Sequence, residues 1–243
     1  MTDPWFGKKG RIRVLWVWAF LLVFFVSARA SCQEENTAEK ERVLAGLKDR
    51  FARVRTFQAD YIREIVPKIP SQLSGTHFRA EGKLAFRSPN RLRLDQNKPR
   101  KELLIVNGEK AFWYVPEEKT VMVYRLKEYA AQIQPMVNLL SGLKELEKDF
   151  SVRLEGAVSL DPPHYTLVLK PRNPQPDLQQ ITLKIAKRDF LPLEFTYENL
   201  MGDGTRFRFS RVRTGGVLAD SLFVFTPPAG TRTLDQAPAL PAK

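Results

Sequence analysis

Side chains able to do nucleophilic, acid–base or metal chemistry are few and scattered in this chain of 243 residues. Cys32 is the only cysteine, and His77 and His164 are the only histidines. A thiol nucleophile needs a base within hydrogen-bond reach, and neither histidine lies near Cys32 in sequence. Both histidines fall at the edges of expected strands or loops, where a solvated imidazole is the ordinary outcome. No nucleophile elbow, phosphate loop or metal-ligand spacing occurs. Gly202-Asp203-Gly204 is explained by a hairpin turn with nothing left over. The expectation is a protein that is not an enzyme and holds neither cofactor nor metal. A lone cysteine also excludes an intrachain disulfide, so the fold must rest on its core.

What the sequence has in abundance is bulky apolar material in short alternating runs. Gly82–Arg87, Arg91–Gln96, Lys101–Asn107, Lys110–Val115 and Thr120–Tyr124 read as five consecutive strands. Turn chemistry separates them: Ser88-Pro89-Asn90, Lys98-Pro99, Asn107-Gly108 and Pro116-Glu117-Glu118. Asn107-Gly108 reads as a two-residue hairpin turn in which both residues accept positive φ. Phe57–Val66 is a strand before this meander. Ser151–Glu155, His164–Lys170, Gln180–Lys187, Leu191–Glu198, Arg206–Arg213 and Leu222–Phe225 are six more after it. About a dozen antiparallel strands form a sheet that tends to curl or split.

Two helical patterns interrupt the strands. Asn36–Val54 carries Val43, Leu44, Leu47, Phe51 and Val54 on one face, and Asn36 with Glu39 has the spacing of a capping box. Within Lys127–Phe150, Ile133, Met136, Leu139, Leu140, Leu143 and Leu146 recur at three and four residues, and Pro135 splits the run into short helices. That broken pair either packs as ordinary core or closes one end of the sheet as a lid.

If the strands wrap into an incomplete barrel, the enclosed face is wider than its own side chains fill and becomes a candidate ligand cavity. Leu84, Phe86, Leu92, Leu94, Phe112, Tyr114, Met122 and Tyr124 are the candidates for that face, with Ile133, Met136, Leu139, Leu140 and Leu143 as the lid. The alternative is a dry core around the helices. The basic cluster Arg87, Arg91, Arg93, Lys98, Arg100 and Lys101 is either a solvated outer face or an electrostatic docking surface for an acidic partner or anionic lipid.

The N-terminus reads as an export signal. Lys8, Lys9, Arg11 and Arg13 precede the apolar run Val14–Val26, and Ala28-Arg29-Ala30 is a small-x-small cleavage site. The apolar run is 13 residues long, short of the roughly 20 that span a bilayer. Residues 1–30 are therefore the expected signal peptide, 31–236 a single domain and 237–243 a disordered tail. A lipoprotein signal would place an aliphatic residue three before Cys32, where Arg29 stands, so soluble export is favoured over acylation. The leader holds five of the 39 Lys and Arg and one of the 27 Asp and Glu, so the net charge falls from +12 to +8 without it. That balance suits an anionic membrane surface or an acidic protein. No nucleic-acid-binding motif is present.

The order of these features resembles the periplasmic outer-membrane lipoprotein carrier family, often called LolA. The resemblance lies in the Gly82 strand, Arg87-Ser88-Pro89-Asn90, the next strand with Lys98-Pro99, the apolar run to Gly108 and the aromatic strands ending at Tyr124. It returns at Phe223-Val224-Phe225-Thr226-Pro227-Pro228-Ala229-Gly230, which is similar to the family's closing strand and turn. It implies a mainly β fold: a half-open antiparallel barrel of about 11–12 strands with an N-terminal helix and a short helical lid. It also implies a monomeric periplasmic chaperone that carries acylated lipoproteins from inner to outer membrane. An inner-membrane lipoprotein-releasing ABC transporter would load it and an outer-membrane lipoprotein receptor unload it. A periplasmic lipid or lipoprotein sensor, and a lipid-anchored receptor acylated at Cys32, are the alternatives. The family places Arg directly before the Pro that follows its second strand, where it serves the lid. Here Ser88 precedes Pro89, and the Arg is one residue earlier. A one-residue shift on a strand turns a side chain to the other face, so Arg87, Arg91 and Arg93 are all candidates for the lid latch or for docking.

Overall fold

The computed structural model describes residues 37–52, 54–69, 79–125, 136–137, 139–143, 146–155, 163–175 and 177–235. The expected signal peptide, Cys32, Asn36, His77, Ile133, Pro135 and the C-terminal tail lie outside the described residues. The chain falls into two units, Met1–Arg42 and Val43–Lys243. Of the first, the described part is helical from residue 37, with Arg42 and Glu39 paired at 3.2 Å. The rest of this account concerns the second unit.

Its helical residues 43–51 complete α1 (37–51), and twelve strands follow. They are β1 (Thr56–Val66), β2 (Arg79–Arg87), β3 (Arg91–Lys98), β4 (Glu102–Val106), β5 (Lys110–Val115), β6 (Thr120–Arg125), β7 (Phe150–Glu155), β8 (His164–Pro171), β9 (Gln180–Ala186), β10 (Pro192–Glu198), β11 (Gly204–Thr214) and β12 (Arg232–Asp235). All belong to one open sheet in the order β12-β6-β5-β4-β3-β2-β1-β11-β10-β9-β8-β7. β1 is therefore central, paired with its neighbour β2 and with the distant β11. Every pairing is antiparallel except β12 on β6, which is parallel.

Alternation assigns the faces. In β1, Phe57, Ala59 and Tyr61 are buried while Gln58, Asp60 and Ile62 are half-buried. Directly paired residues share a face, so Phe57 leads to Phe86, Leu92, Val106, Ala111 and Tyr124 across β2 to β6. Toward the other edge the same face carries Phe207, Phe195, Leu183, Leu167 and Leu154. One apolar cluster holds this face together with Val43, Leu47 and Phe51 of α1 and with Met136, Leu139, Leu140 and Leu143. The buried aromatic rings stack across strands, with Phe195 and Phe207 centroids 5.2 Å apart and Phe57 edge-on to Phe209 at 5.5 Å. Gly46 lets α1 come close to the β9–β10 turn, since a Cβ there would lie 2.3 Å from Phe190 Cζ.

Two local expectations are corrected. The β4–β5 turn uses Gly108, not Asn107, at positive φ. Asn107 N–H donates to the Lys110 carbonyl at 3.1 Å, and the Asn107 side-chain oxygen accepts from the N–H groups of Glu109 and Lys110. Asn107 thus closes the turn through its amide side chain, with Gly108 and Glu109 as the central pair. The expected strand Leu222–Phe225 is instead a 3-10 turn at Asp220–Phe223 followed by extended chain. It is β12, not this segment, that pairs with β6. The segment lies across the outer face of the sheet.

Candidate functional site

The core face is not filled everywhere. Where the apolar surface of β3 to β5 meets the ends of β1, β10 and β11, a cavity of about 300 Å³ remains. Its wall includes Tyr61, Leu94, Leu104, Trp113, Tyr197 and Phe207, with Met136 contributed by the helical layer. Arg63, Gln96, Glu102 and Thr205 supply the polar part, and Ile65, 45% exposed, also lines it. The cavity therefore opens to solvent beside Ile65.

Register explains this wall. Arg63 pairs with Ala80 and Phe207, Gln96 with Glu102, and Leu94 with Leu104, which pairs with Trp113. Trp113 Nε1–H donates to Glu102 Oε2 at 3.0 Å, and Arg100 Nε donates to the other oxygen at 2.6 Å. The hydrogen bond to Glu102 raises the Arg100 guanidinium further above its already high pKa. Gln96 Nε2 donates to the Arg100 carbonyl at 3.1 Å and its oxygen accepts from Arg63 Nη2 at 3.3 Å. Burial pushes the Tyr61 phenol up to about 12, so the ring meets the cavity uncharged.

The expected cavity residues divide. Leu84, Phe86 and Leu92 are fully packed in the core, Leu94 lines the cavity, and Met122 and Tyr124 share its face through Trp113 and Ala111. Phe112 and Tyr114 are on the opposite face, a correction. They pair with Val123 and Val121 and stack on Phe225 at 5.6 and 5.5 Å. Of the expected lid, Met136, Leu139, Leu140 and Leu143 are buried against the core face. The Ser141 hydroxyl meets the carbonyl of Pro89, and lies 2.7 Å from that of Val137.

The three arginines expected to latch a lid or to dock a partner lie together. Arg87, Arg91 and Arg93 are on the outer face, as a one-residue shift from the position before Pro89 dictates. Arg87 and Arg91 both bind Asp220, the second at 2.7 Å, and Arg87 also donates to the Leu218 carbonyl at 2.9 Å. The Arg87 guanidinium lies 5.0 Å above the Phe223 ring. Arg93 pairs with Asp95 at 2.7 Å and donates to the Leu222 carbonyl at 3.2 Å. These contacts clamp the 218–223 segment. Hydrogen bonding from Arg87 holds the Asp220 carboxyl below the usual carboxylate range. Lys98 and Arg100 are likewise paired, with Glu81 and with Glu102 and Glu118. Among the described residues, no group of three or more His, Cys, Asp or Glu could hold a metal, and no helix is long and apolar enough to cross a membrane.

Sequence reasoning missed Tyr61, Arg63, Gln96, Glu102, Leu104 and Trp113. Arg63 was the most findable: it continues the every-second-residue series Phe57, Ala59 and Tyr61, a charge on an apolar stripe.

The outer membrane lipoprotein carrier protein LolA family model matches residues 53–226. A lipoprotein carrier protein of Dechloromonas aromatica is 28% identical over 191 residues, covering 76% of this chain and 83% of that protein. One from Coxiella burnetii is 23% identical over 217 residues, covering 89% and 94%. An uncharacterized conserved protein from Thermus thermophilus has a similar fold, with a TM-score of 0.50, 12% identity, and coverage of 82% of this chain and 99% of that one. With nearly three-quarters of its length matched by the family model, the chain belongs to the LolA family of outer membrane lipoprotein carrier proteins.

Proposed function

We propose that this protein is a periplasmic carrier that buries the acyl chains of lipoproteins in the cavity on the core face of its sheet and moves them from inner to outer membrane. The observation that carries this reading is the unfilled space itself, bounded by Leu94, Leu104, Trp113 and Phe207 on the core face. Each acyl CH₂ exposed to water costs about 0.8 kcal/mol, so an anchor with long chains needs an apolar shelter between membranes. Binding here is reversible burial, with no covalent step. Residues 1–30 act as the export signal on this reading, and family membership supports an inner-membrane ATP-driven transporter as loader and an outer-membrane receptor as acceptor.

The cavity holds on the order of ten methylene-sized groups at roughly 30 Å³ each. That is less than one long acyl chain. Uptake therefore requires the covering layer to move, and Met136 is where the helical residues 136–137 and 139–142 meet the cavity. Native mass spectrometry with an acylated lipoprotein, and with the same lipoprotein stripped of its acyl chains, tests the proposal. A one-to-one complex with the acylated form alone is expected; equal binding to both, or to neither, overturns it.

A further inference from the structure

Arg63 is a cation on an apolar face without a counter-charge. It lies two residues after Tyr61 on the core face of β1 and two before Ile65, at the inner edge of the cavity mouth. Among the described residues, no carboxylate lies within ion-pair distance of it, and its one hydrogen bond goes to the neutral Gln96 Oε1 at 3.3 Å. A guanidinium has five N–H donors in a planar fork. Leaving most of them unused in a half-buried site costs free energy unless a ligand or water takes them up.

The only acid in the cavity wall among the described residues does not answer this need. Both oxygens of Glu102 are engaged, by Arg100 at 2.6 Å and by Trp113 at 3.0 Å. Gln96, buried to 7% exposure and anchored on the Arg100 carbonyl, fixes one edge of the Arg63 fork. The same wall carries Leu94, Leu104, Trp113 and Phe207. A cationic fork and apolar side chains lining one cavity match a ligand with one anionic head and one acyl tail.

We propose that Arg63 is an anion anchor and that the cavity takes single-chain anionic amphiphiles, with the carboxylate or phosphate head on the guanidinium and the tail along Leu94 and Trp113. This rests on the carrier reading's apolar cavity but goes beyond it. Acyl chains joined through esters and amides carry no charge, so a lipoprotein anchor makes no use of Arg63. A charge-assisted, two-point contact is about twice as strong as a neutral hydrogen bond.

The test is calorimetric titration of the purified protein with palmitate, lysophosphatidate and the uncharged hexadecanol, each below its aggregation limit, and with inorganic phosphate alone. Palmitate or lysophosphatidate is expected to bind roughly tenfold tighter than hexadecanol, a factor set by one charge-assisted contact. Arg63→Gln should bring the anionic ligand down to the hexadecanol level while leaving hexadecanol unchanged, and Arg63→Lys should keep part of the preference. Equal binding of charged and uncharged ligands, or a preference that survives Arg63→Gln, overturns the anchor and leaves the carrier reading standing. Inorganic phosphate binding as tightly as the amphiphiles overturns the amphiphile class. If no long-chain ligand binds at all, the anchor and the apolar-cavity reading fall together.

Discussion

Strands β4 to β6 carry apolar side chains on both faces, and the two faces have different fates. On the core face, Leu94, Leu104 and Trp113 look onto empty space. On the outer face, Ile105 and Val121 are buried, and Phe112 and Tyr114 are covered by Phe225 from the chain's own C-terminal segment. That segment is held by ion pairs and carbonyl contacts from Arg87, Arg91 and Arg93. The same composition thus lines a cavity on one side and makes a closed minor core on the other. An apolar strand face stays open where no described segment covers it.

The sharpest way to break this contrast is to open the closed side. Phe223 is 1% exposed beneath Arg87, and Phe223→Ala should cost about 3–5 kcal/mol, read as a fall in the denaturant midpoint. Acyl-chain binding by the protein that remains folded should be unchanged. If binding falls with stability, the two faces are one cooperative site.

Gly46→Ala tests the packing of the helical layer over the core face. The added Cβ would meet the Phe190 ring, and overpacking of this kind costs about 1–3 kcal/mol. Pairing it with Phe190→Leu should recover part of the loss in thermal denaturation. No recovery would place the strain elsewhere.

Filling the empty side should do the reverse of opening the closed one. Leu94→Trp puts bulk into the cavity and is expected to weaken acyl-chain binding roughly tenfold, about 1.4 kcal/mol, with an unchanged melting temperature. Phe112→Leu, two strands away on the outer face, should leave that binding untouched. Titration of both variants with one acyl ligand compares the faces directly.

The smallest effect belongs to the clamp. Asp220 is exposed, and surface pairs of this class contribute little. Its folded pKa is lowered by the Arg87 hydrogen bond, so its contribution is complete above the unfolded carboxylate value of about 3.9 and is lost as pH falls through the lower folded value. NMR titration of the Asp220 carboxyl carbon should show the depressed midpoint, and Arg87→Gln should return it toward the ordinary range.

Much of the architecture was legible from alternation. β3 interleaves Leu92 and Leu94 with Arg91, Arg93 and Asp95, so its faces could be read directly. The same holds for β9, where Ile181, Leu183 and Ile185 alternate with Thr182 and Lys184. β4 and β5 read ELLIV and KAFWYV, apolar at both parities, and period two says nothing about which side faces inward. Their register depends on the Asn107 side-chain turn, and that is why Phe112 and Tyr114 were assigned to the wrong face. The 220–225 segment has strand-like composition, yet it is β12 that pairs with β6. The cavity's polar residues come from β1, β3, β4 and β11, and their meeting is a fact of strand order that no local window contains.

The central place of β1 also bears on how the chain reaches this structure. β1 is made early and β11 late, yet they are neighbours. At about 5–20 residues per second, the intervening chain takes roughly 7 to 30 seconds to synthesise. Through that interval β1 can pair with β2 while its other edge presents a row of unpaired N–H and C=O groups, a template for mispairing with another chain. The delay far exceeds the milliseconds to seconds in which non-local β pairing forms once both strands are present. Protection of that edge during synthesis, more than the folding rate itself, then governs how much of the chain arrives native.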